Sequence, residues 1–182
     1  MLAAGHSRHA LDRRLANGTL VRLLPRVYRF AGTVETWHQK VMAACLWGSP
    51  DAIASHRSAG RLWGLEGFLQ EGIEITVPRA TRSRSKLLTV HRTLELIRWD
   101  VARRERIPVT GVNRTLIDLG AVLDPEELEA ALDSALRQRL TTVRWLHWEL
   151  TQHTVASRGP IKLSGRGKAG LAGLRAGVEA RR

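Results

Sequence analysis

The chain has 182 residues, a formal net charge of +12 and a single cysteine. That length allows one or two domains with a real core, and the charge favours a polyanionic partner or an anionic surface. A lone Cys45 excludes an internal disulfide and suits a reducing cytosol, no apolar run is long enough for a membrane span, and residues 1–5 are too short for a secretory segment, so a cytoplasmic protein with no membrane partner is expected.

Residues 7–18 read as a short helix. Ser7 is placed to accept from a first-turn N–H, and Gly18 to take the left-handed conformation that closes the last turn. Leu11 and Leu15 share a narrow apolar stripe, which would dock on a core. His9, Arg13 and Asn17 lie opposite it, beside the small Ala10 and Ala16. Outward donors with little bulk around them are what a groove-reading helix needs. The next segment alternates Leu20, Arg22 and Leu24, and it carries Arg22, Arg26 and Arg29 around a Leu-Pro-Arg turn, a basic β-ribbon suited to phosphate contact. Helix and ribbon together have the layout of the DNA-reading half of a winged helix-turn-helix. A solvated basic helix packed on a hairpin is the alternative reading of the same residues.

Residues 33–48 read as a second helix with Trp37, Val41 and Cys45 on one side, ended by Gly48-Ser49-Pro50. A short strand at 52–54 precedes Ser55, an N-cap for a helix running to Trp63 and closed by Gly64. Residues 73–77 alternate as a half-buried strand, with 87–91 as its partner across a basic 78–86 connection, and 100–110 supplies a further strand or pair. A helix at 112–122 carries Leu116 and Leu119 inward. Asp124-Pro125-Glu126-Glu127 opens the next, with Leu128, Leu132, Ala135 and Leu136 as its core stripe. Thr142 caps a helix holding Val143, Leu146 and Leu150; the Gly- and Arg-rich 158–170 reads as a linker, and Leu171, Leu174 and Val178 mark a weak tail helix.

Charge is unevenly spread. Basic clusters occur at Arg79, Arg82, Arg84 and Lys86, at Arg103, Arg104 and Arg106, and from Arg158 to Arg182, with an acidic stretch over 124–133. Catalytic patterns are not found. No Glu-x-Lys stands on an expected strand, and Gly48-Ser49 is not followed by a paired Asp-x-Asp to hold magnesium. His56 with Arg57 and Ser58 reads as a helix-capping group, and His91 as a paired structural histidine. His147 and His153 lack the spacing of a metal pair, and Trp145 with Trp148 reads as core or subunit contact. No catalytic residue, metal or cofactor is expected.

Several strings carry a likeness in order: the basic helix and Gly-x-Leu-x-Arg-Leu-x-Pro-x-Val-Tyr ribbon ending at Tyr28, Ala54-Ser55-His56-Arg57-Ser58-Ala59 leading to Leu62-Trp63-Gly64-Leu65, Thr76-Val77-Pro78, Val90-His91-Arg92, Ile107-Pro108-Val109-Thr110, and Arg114-Thr115-Leu116-Ile117-Asp118-Leu119. Over about residues 3–175 the chain resembles actinobacterial proteins of the AbiEi-like type IV antitoxin group. The resemblance implies a winged-helix N-terminus that binds the operon's own promoter, and an α/β region that opposes a nucleotidyltransferase-like toxin. It also implies, in many chains of this subset, a following very-short-patch-repair-like endonuclease domain. Relative to that pattern the opening helices are missing and the chain stops at Arg182, where the nuclease would begin.

The expected fold is therefore α+β: a partial winged helix-turn-helix (1–32), a mixed α/β domain with a small antiparallel sheet and C-terminal helices (33–157), and a basic linker with a tail helix (158–182). The expected function is that of a non-catalytic DNA-binding regulator, antitoxin-like, able to act as a homodimer. The alternatives are the targeting portion of a nuclease protein, or a toxin-binding protein with no DNA role. His9, Arg13 and Asn17 would face bases of double-stranded DNA. Ser7, Arg8, Arg14, Arg22, Arg26 and Arg29 would serve phosphates, and Arg82, Arg84 and Lys86 would extend the track.

Overall fold

The structure, a computed structural model, describes residues 7–48, 50–69, 72–81, 84–93, 100–155 and 165–181, without the side chains of 152–155 and 165–171. Its elements in chain order are α1 (Arg8–Ala16), β1 (Leu20–Leu24), β2 (Val27–Phe30), α2 (Trp37–Gly48), β3 (Ile53–Ala54), α3 (His56–Leu62), β4 (Glu74–Pro78), β5 (Thr89–Thr93), β6 (Val101–Arg104), β7 (Ile107–Thr110), α4 (Val112–Leu119), α5 (Pro125–Arg137), α6 (Val143–Val155) and α7 (Gly165–Glu179). Helices and strands are mixed as α+β, with a two-stranded sheet β1-β2 and a five-stranded sheet in the order β5-β4-β3-β7-β6.

Local chemistry sets the N-terminal elements. Ser7 Oγ accepts from the Ala10 N–H at 3.2 Å, and the chain leaves α1 through Asn17 and a left-handed Gly18 at φ 72. No residue of α1 is buried. Leu11 and Leu15 are only half-buried, against β1. Pro25 has its φ fixed by its ring, and Arg26 follows at φ 68, the sign a type II turn needs there, so Leu24 comes opposite Val27 and the ribbon closes antiparallel. Leu24 and Val27 then reach one core cluster with Trp37, Val41 and Cys45 of α2. α2 begins later than expected because the Thr36 hydroxyl accepts from Gln39 N at 3.1 Å and so fixes the first turn.

The central sheet differs from the small antiparallel one expected. β3/β4 and β6/β7 are antiparallel, but β4/β5 and β3/β7 are parallel, so the sheet is mixed. The 73–77 strand was read as half-buried, yet Glu74, Ile75, Thr76 and Val77 are all buried. The reason is position: β4 lies inside the sheet, with the end of α2 against Ile75 and Val77. A Cβ on Gly48 would meet Ala52 Cβ at 2.7 Å and Ile75 Cδ1 at 3.0 Å. The β6–β7 hairpin turns through Glu105 at φ 48 and Arg106 at φ 68, the two left-handed residues of a type I′ turn.

A second core cluster lies among the later helices. Leu116 and Leu119 of α4, Leu128, Leu132 and Ala135 of α5, Leu146 and Leu150 of α6, and Leu174 and Val178 of α7 are buried together with Leu65 and Phe68. Asp124 and Glu127 form the capping box that starts α5, with Pro125 in its first turn, as the sequence anticipates. Thr142 caps α6 through the Trp145 N–H at 3.2 Å. Trp63 packs against both clusters and donates Nε1–H to Thr110 O at 2.8 Å. The expected 158–170 linker is corrected at its end, where α7 already starts at Gly165; its residues 158–164 and the side chains of His153, Arg166, Lys168, Leu171 and Arg182 lie outside the described residues. Among the described residues, no helix is long and apolar enough to cross a membrane.

One buried ion cluster ties the sheet to α4. Arg114 donates from Nη1 to Asp100 Oδ2, at the start of β6, and from Nε to Asp118 Oδ1 one turn along, both at 2.8 Å. Burial disfavours the charge on Arg114, but the two carboxylates outweigh that and hold its pKa above the ordinary value. Removing one partner of such a set strands the others without solvent. Arg114→Ala is therefore expected to lower the unfolding free energy by about 3–5 kcal/mol, read as a drop in the urea midpoint. An unchanged midpoint would show that the cluster contributes nothing.

Candidate functional site

Two regions gather chemistry. The first is the N-terminal basic surface. Ser7, Arg8, His9, Arg13, Asn17, Arg22 and Arg26 are exposed, and Arg14 is half-buried. Asn17 spends its carbonyl oxygen locally, accepting from Thr19 N at 3.1 Å and Thr19 Oγ1 at 2.7 Å. Arg22 lies over the Tyr28 ring, 5.7 Å from its centroid. Arg29 is tied down: Nη1 donates to Thr33 O at 2.9 Å, and Nη2 pairs with Glu35 at 3.5 Å. Its guanidinium thus holds the exit of β2. Arg84 and Lys86 are exposed on the β4–β5 connection, on the other sheet, and Arg82 lies outside the described residues.

The second region is buried, and the sequence reading did not assemble it. β4 alternates: Ile75 and Val77 enter the core beside α2, which turns Glu74 and Thr76 to the other face. In the parallel register of β4 and β5, Thr76 pairs with His91, so the His91 side chain joins Glu74 on that face. Immediately after β3 the backbone reaches φ 49 at His56, an uncommon conformation for a side-chain-bearing residue. It sets the His56 ring face to face on His91, with centroids 3.5 Å apart and planes 12° apart. His91 Nε2 meets Glu74 Oε2 at 2.7 Å, and Arg57 Nη1 reaches Glu74 Oε1 at 3.4 Å while its Nη2 donates to Val122 O at 2.6 Å.

Ser55 does not cap α3 with its side chain, as the sequence suggests it would. Its Oγ instead accepts from Thr76 Oγ1 at 2.8 Å and lies 3.0 Å from His56 Nδ1. Ser58 Oγ accepts from the Glu74 N–H at 2.8 Å, fastening α3 to β4. Burial pushes the His56 imidazole down to about 4; Asp118 opposes that shift, and His91 adds to it. For Glu74, burial pulls upward, but the hydrogen bond from His91, with His56 and Arg57 nearby, holds the carboxyl below its ordinary value. His56 is therefore neutral at pH 7, stacked on an imidazole that is hydrogen-bonded to a carboxylate.

Chemically, the set offers two imidazoles and a carboxylate, donors able to pass a proton or to ligate a metal. The residues come from α3, β4 and β5, and no local spacing links them. The one available signal was the pair of polar residues, Glu74 and Thr76, inside an otherwise apolar strand. Trp145 and Trp148, expected as core or contact, are 61% and 50% exposed and meet edge to face. Cys45 is buried, which pushes its thiol up to about 12 and leaves it unreactive.

Comparison of the chain with protein-family models and with curated proteins finds no match.

The His56 shift fixes a pH dependence. The unfolded imidazole takes its proton near 6.5 and the folded one near 4, so protons favour the unfolded chain as pH falls. This contribution to stability is intact above the unfolded value and is lost as pH falls toward the folded one. The loss amounts to roughly 3 kcal/mol. Urea unfolding in chelator-containing buffer, followed downward from neutral pH, should show it, and His56→Gln should flatten the profile over that window. Equal slopes in both proteins would contradict the assignment.

Proposed function

We propose that the protein is a cytoplasmic regulator that binds double-stranded DNA through α1 and the β1–β2 ribbon, used as recognition helix and wing. The observation that carries this reading is electrostatic. The arginine ion pairs among the described residues engage Arg29, Arg57, Arg114, Arg137 and Arg181, and none involves Arg8, Arg13, Arg14, Arg22 or Arg26. In a chain of net charge +12, four of these, Arg8, Arg13, Arg22 and Arg26, are exposed on one helix and the ribbon packed on it, and Arg14 is half-buried beside them. A phosphate backbone is the partner that such a surface is suited to attract.

Arg13 and His9 stand on the exposed side of a capped helix, flanked by the small Ala10 and Ala16, and face base edges. Arg8, Arg22 and Arg26 flank them and meet phosphates. Arg29 acts through structure, holding the strand that carries the wing. The antitoxin-like role, with the chain's own promoter as operator and a nucleotidyltransferase-like toxin as partner, rests on the family resemblance alone.

The test is titration of the upstream region of the chain's own operon against random duplex, across a salt series. Arg13→Ala is expected to lower discrimination between the two by about 1–3 kcal/mol. Arg26→Ala should weaken both alike and reduce the salt slope by about one. Equal affinity of the unaltered protein for both duplexes would remove the sequence-specific reading, and no binding in dilute salt would remove the DNA reading altogether.

A further inference from the structure

We propose that His56, Glu74 and His91 form a binding site for a divalent transition-metal ion of the Zn2+ class, with one imidazole nitrogen from each histidine and one carboxylate oxygen as ligands. Their donor atoms all lie within 4.8 Å of one another. Nitrogen and oxygen donors around such an ion are about 3.3 Å apart, as follows from bond lengths near 2.0–2.2 Å and tetrahedral angles, so the three side chains are within reach of one ion once a ring reorients. Two imidazoles and one carboxylate form a three-ligand set that leaves a fourth position to water or a substrate oxygen.

The surroundings hold these ligands as a site would. His56 sits at φ 49 while buried, a strained backbone that aims its ring at His91, and such strain clusters at functional positions. Ser55 Oγ lies 3.0 Å from His56 Nδ1 and is itself held by Thr76; an Nδ1–H donated to that oxygen leaves the Nε2 lone pair for the metal. Arg57 engages Glu74 Oε1 and leaves Oε2 as a single ligand atom. Asp118 Oδ2, on a carboxylate that acts electrostatically on His56, is buried with no hydrogen-bond partner among the described residues.

The stacking of the rings dictates how the site loads. Lone pairs lie in the ring planes, and two nearly parallel planes 3.5 Å apart cannot share one ion. One ring must swing. His56 is clamped by Ser55 and its backbone, whereas His91 is half-buried on β5, an edge strand. His91 therefore breaks the stack and exchanges its bond to Glu74 Oε2 for a shared bond to the metal, to which a neutral imidazole offers the nitrogen that carries no hydrogen.

The experiment uses the full chain, stripped with chelator. Zn2+ is titrated by calorimetry and Co2+ by visible absorption, with the histidine ring resonances followed by NMR. One ion per chain is expected, with four-coordinate Co2+ bands and loss of the ring-stacking shift at His91. His91→Ala, at an edge-strand position that leaves the core intact, should abolish the bands while its circular dichroism stays unchanged, and Glu74→Gln should do the same. Ser55→Ala, which removes the hydroxyl that meets His56 Nδ1 and Thr76 Oγ1 but no ligand atom, should weaken Zn2+ by about 10–100-fold. His38→Ala and His147→Ala, which alter the surface pairs with Glu105 and Glu179, should leave binding unchanged. Failure of the unaltered protein to bind, binding by His91→Ala at the original affinity, or loss that follows His38 or His147 would each overturn the proposal. The site shares no residue with α1 or the ribbon, so the DNA experiment is independent of this one.

Discussion

Two residues, Ile53 and Ala54, hold the halves of the central sheet together. β3 pairs antiparallel with β4 on one side and parallel with β7 on the other, so the β5-β4 and β7-β6 pairs meet only across it. A strand that short tolerates little. Ala52, Ile53 and Ala54 are buried, and Gly48 approaches Ala52 too closely for any side chain. The chain must then leave the sheet centre at once, and it does so through Ser55 and the left-handed His56 into α3.

That abrupt exit is what creates the buried polar cluster. A gentler turn would let Ser55 cap the helix and carry His56 away from β4. Instead Ser55 is drawn to Thr76, and His56 lands on His91. Buried polar groups persist only when they satisfy one another. Here Ser55, Thr76, Glu74, His91 and Arg57 do so in a chain of contacts that runs from the sheet to the Val122 carbonyl after α4. Nearby, Arg114 with Asp100 and Asp118 repeats the solution with full charges. The region between sheet and helices is thus polar, in contrast to the two apolar clusters on either side.

The N-terminal surface follows the opposite physics. α1 buries nothing and packs only lightly on β1, so its place depends on two half-buried leucines and its caps. Such an element has little tertiary stability of its own and gains from any partner that covers it. Acidic residues pair with Arg114, with Arg181 through Glu129 and Asp133, and, at the end of the ribbon, with Arg29 and Lys40 through Glu35.

Elements whose signals are local could be read before any folding was known. Ser7 and Gly18 around α1, the Pro25 turn, the Asp124–Glu127 capping box, Thr142 before α6 and the Trp37/Val41/Cys45 stripe all act within a few residues of where they are read. Tertiary structure alone decided strand order, the mixed directions in the sheet and the full burial of β4, because pairing partners are chosen by long-range packing that no window of sequence contains. It also decided the meeting of His56, Glu74 and His91, which needs one strand register and one strained turn at once. For the same reason Arg29 reads from sequence as a phosphate contact yet is held in place by carbonyls and Glu35, since a guanidinium's partner depends on what the fold brings to it.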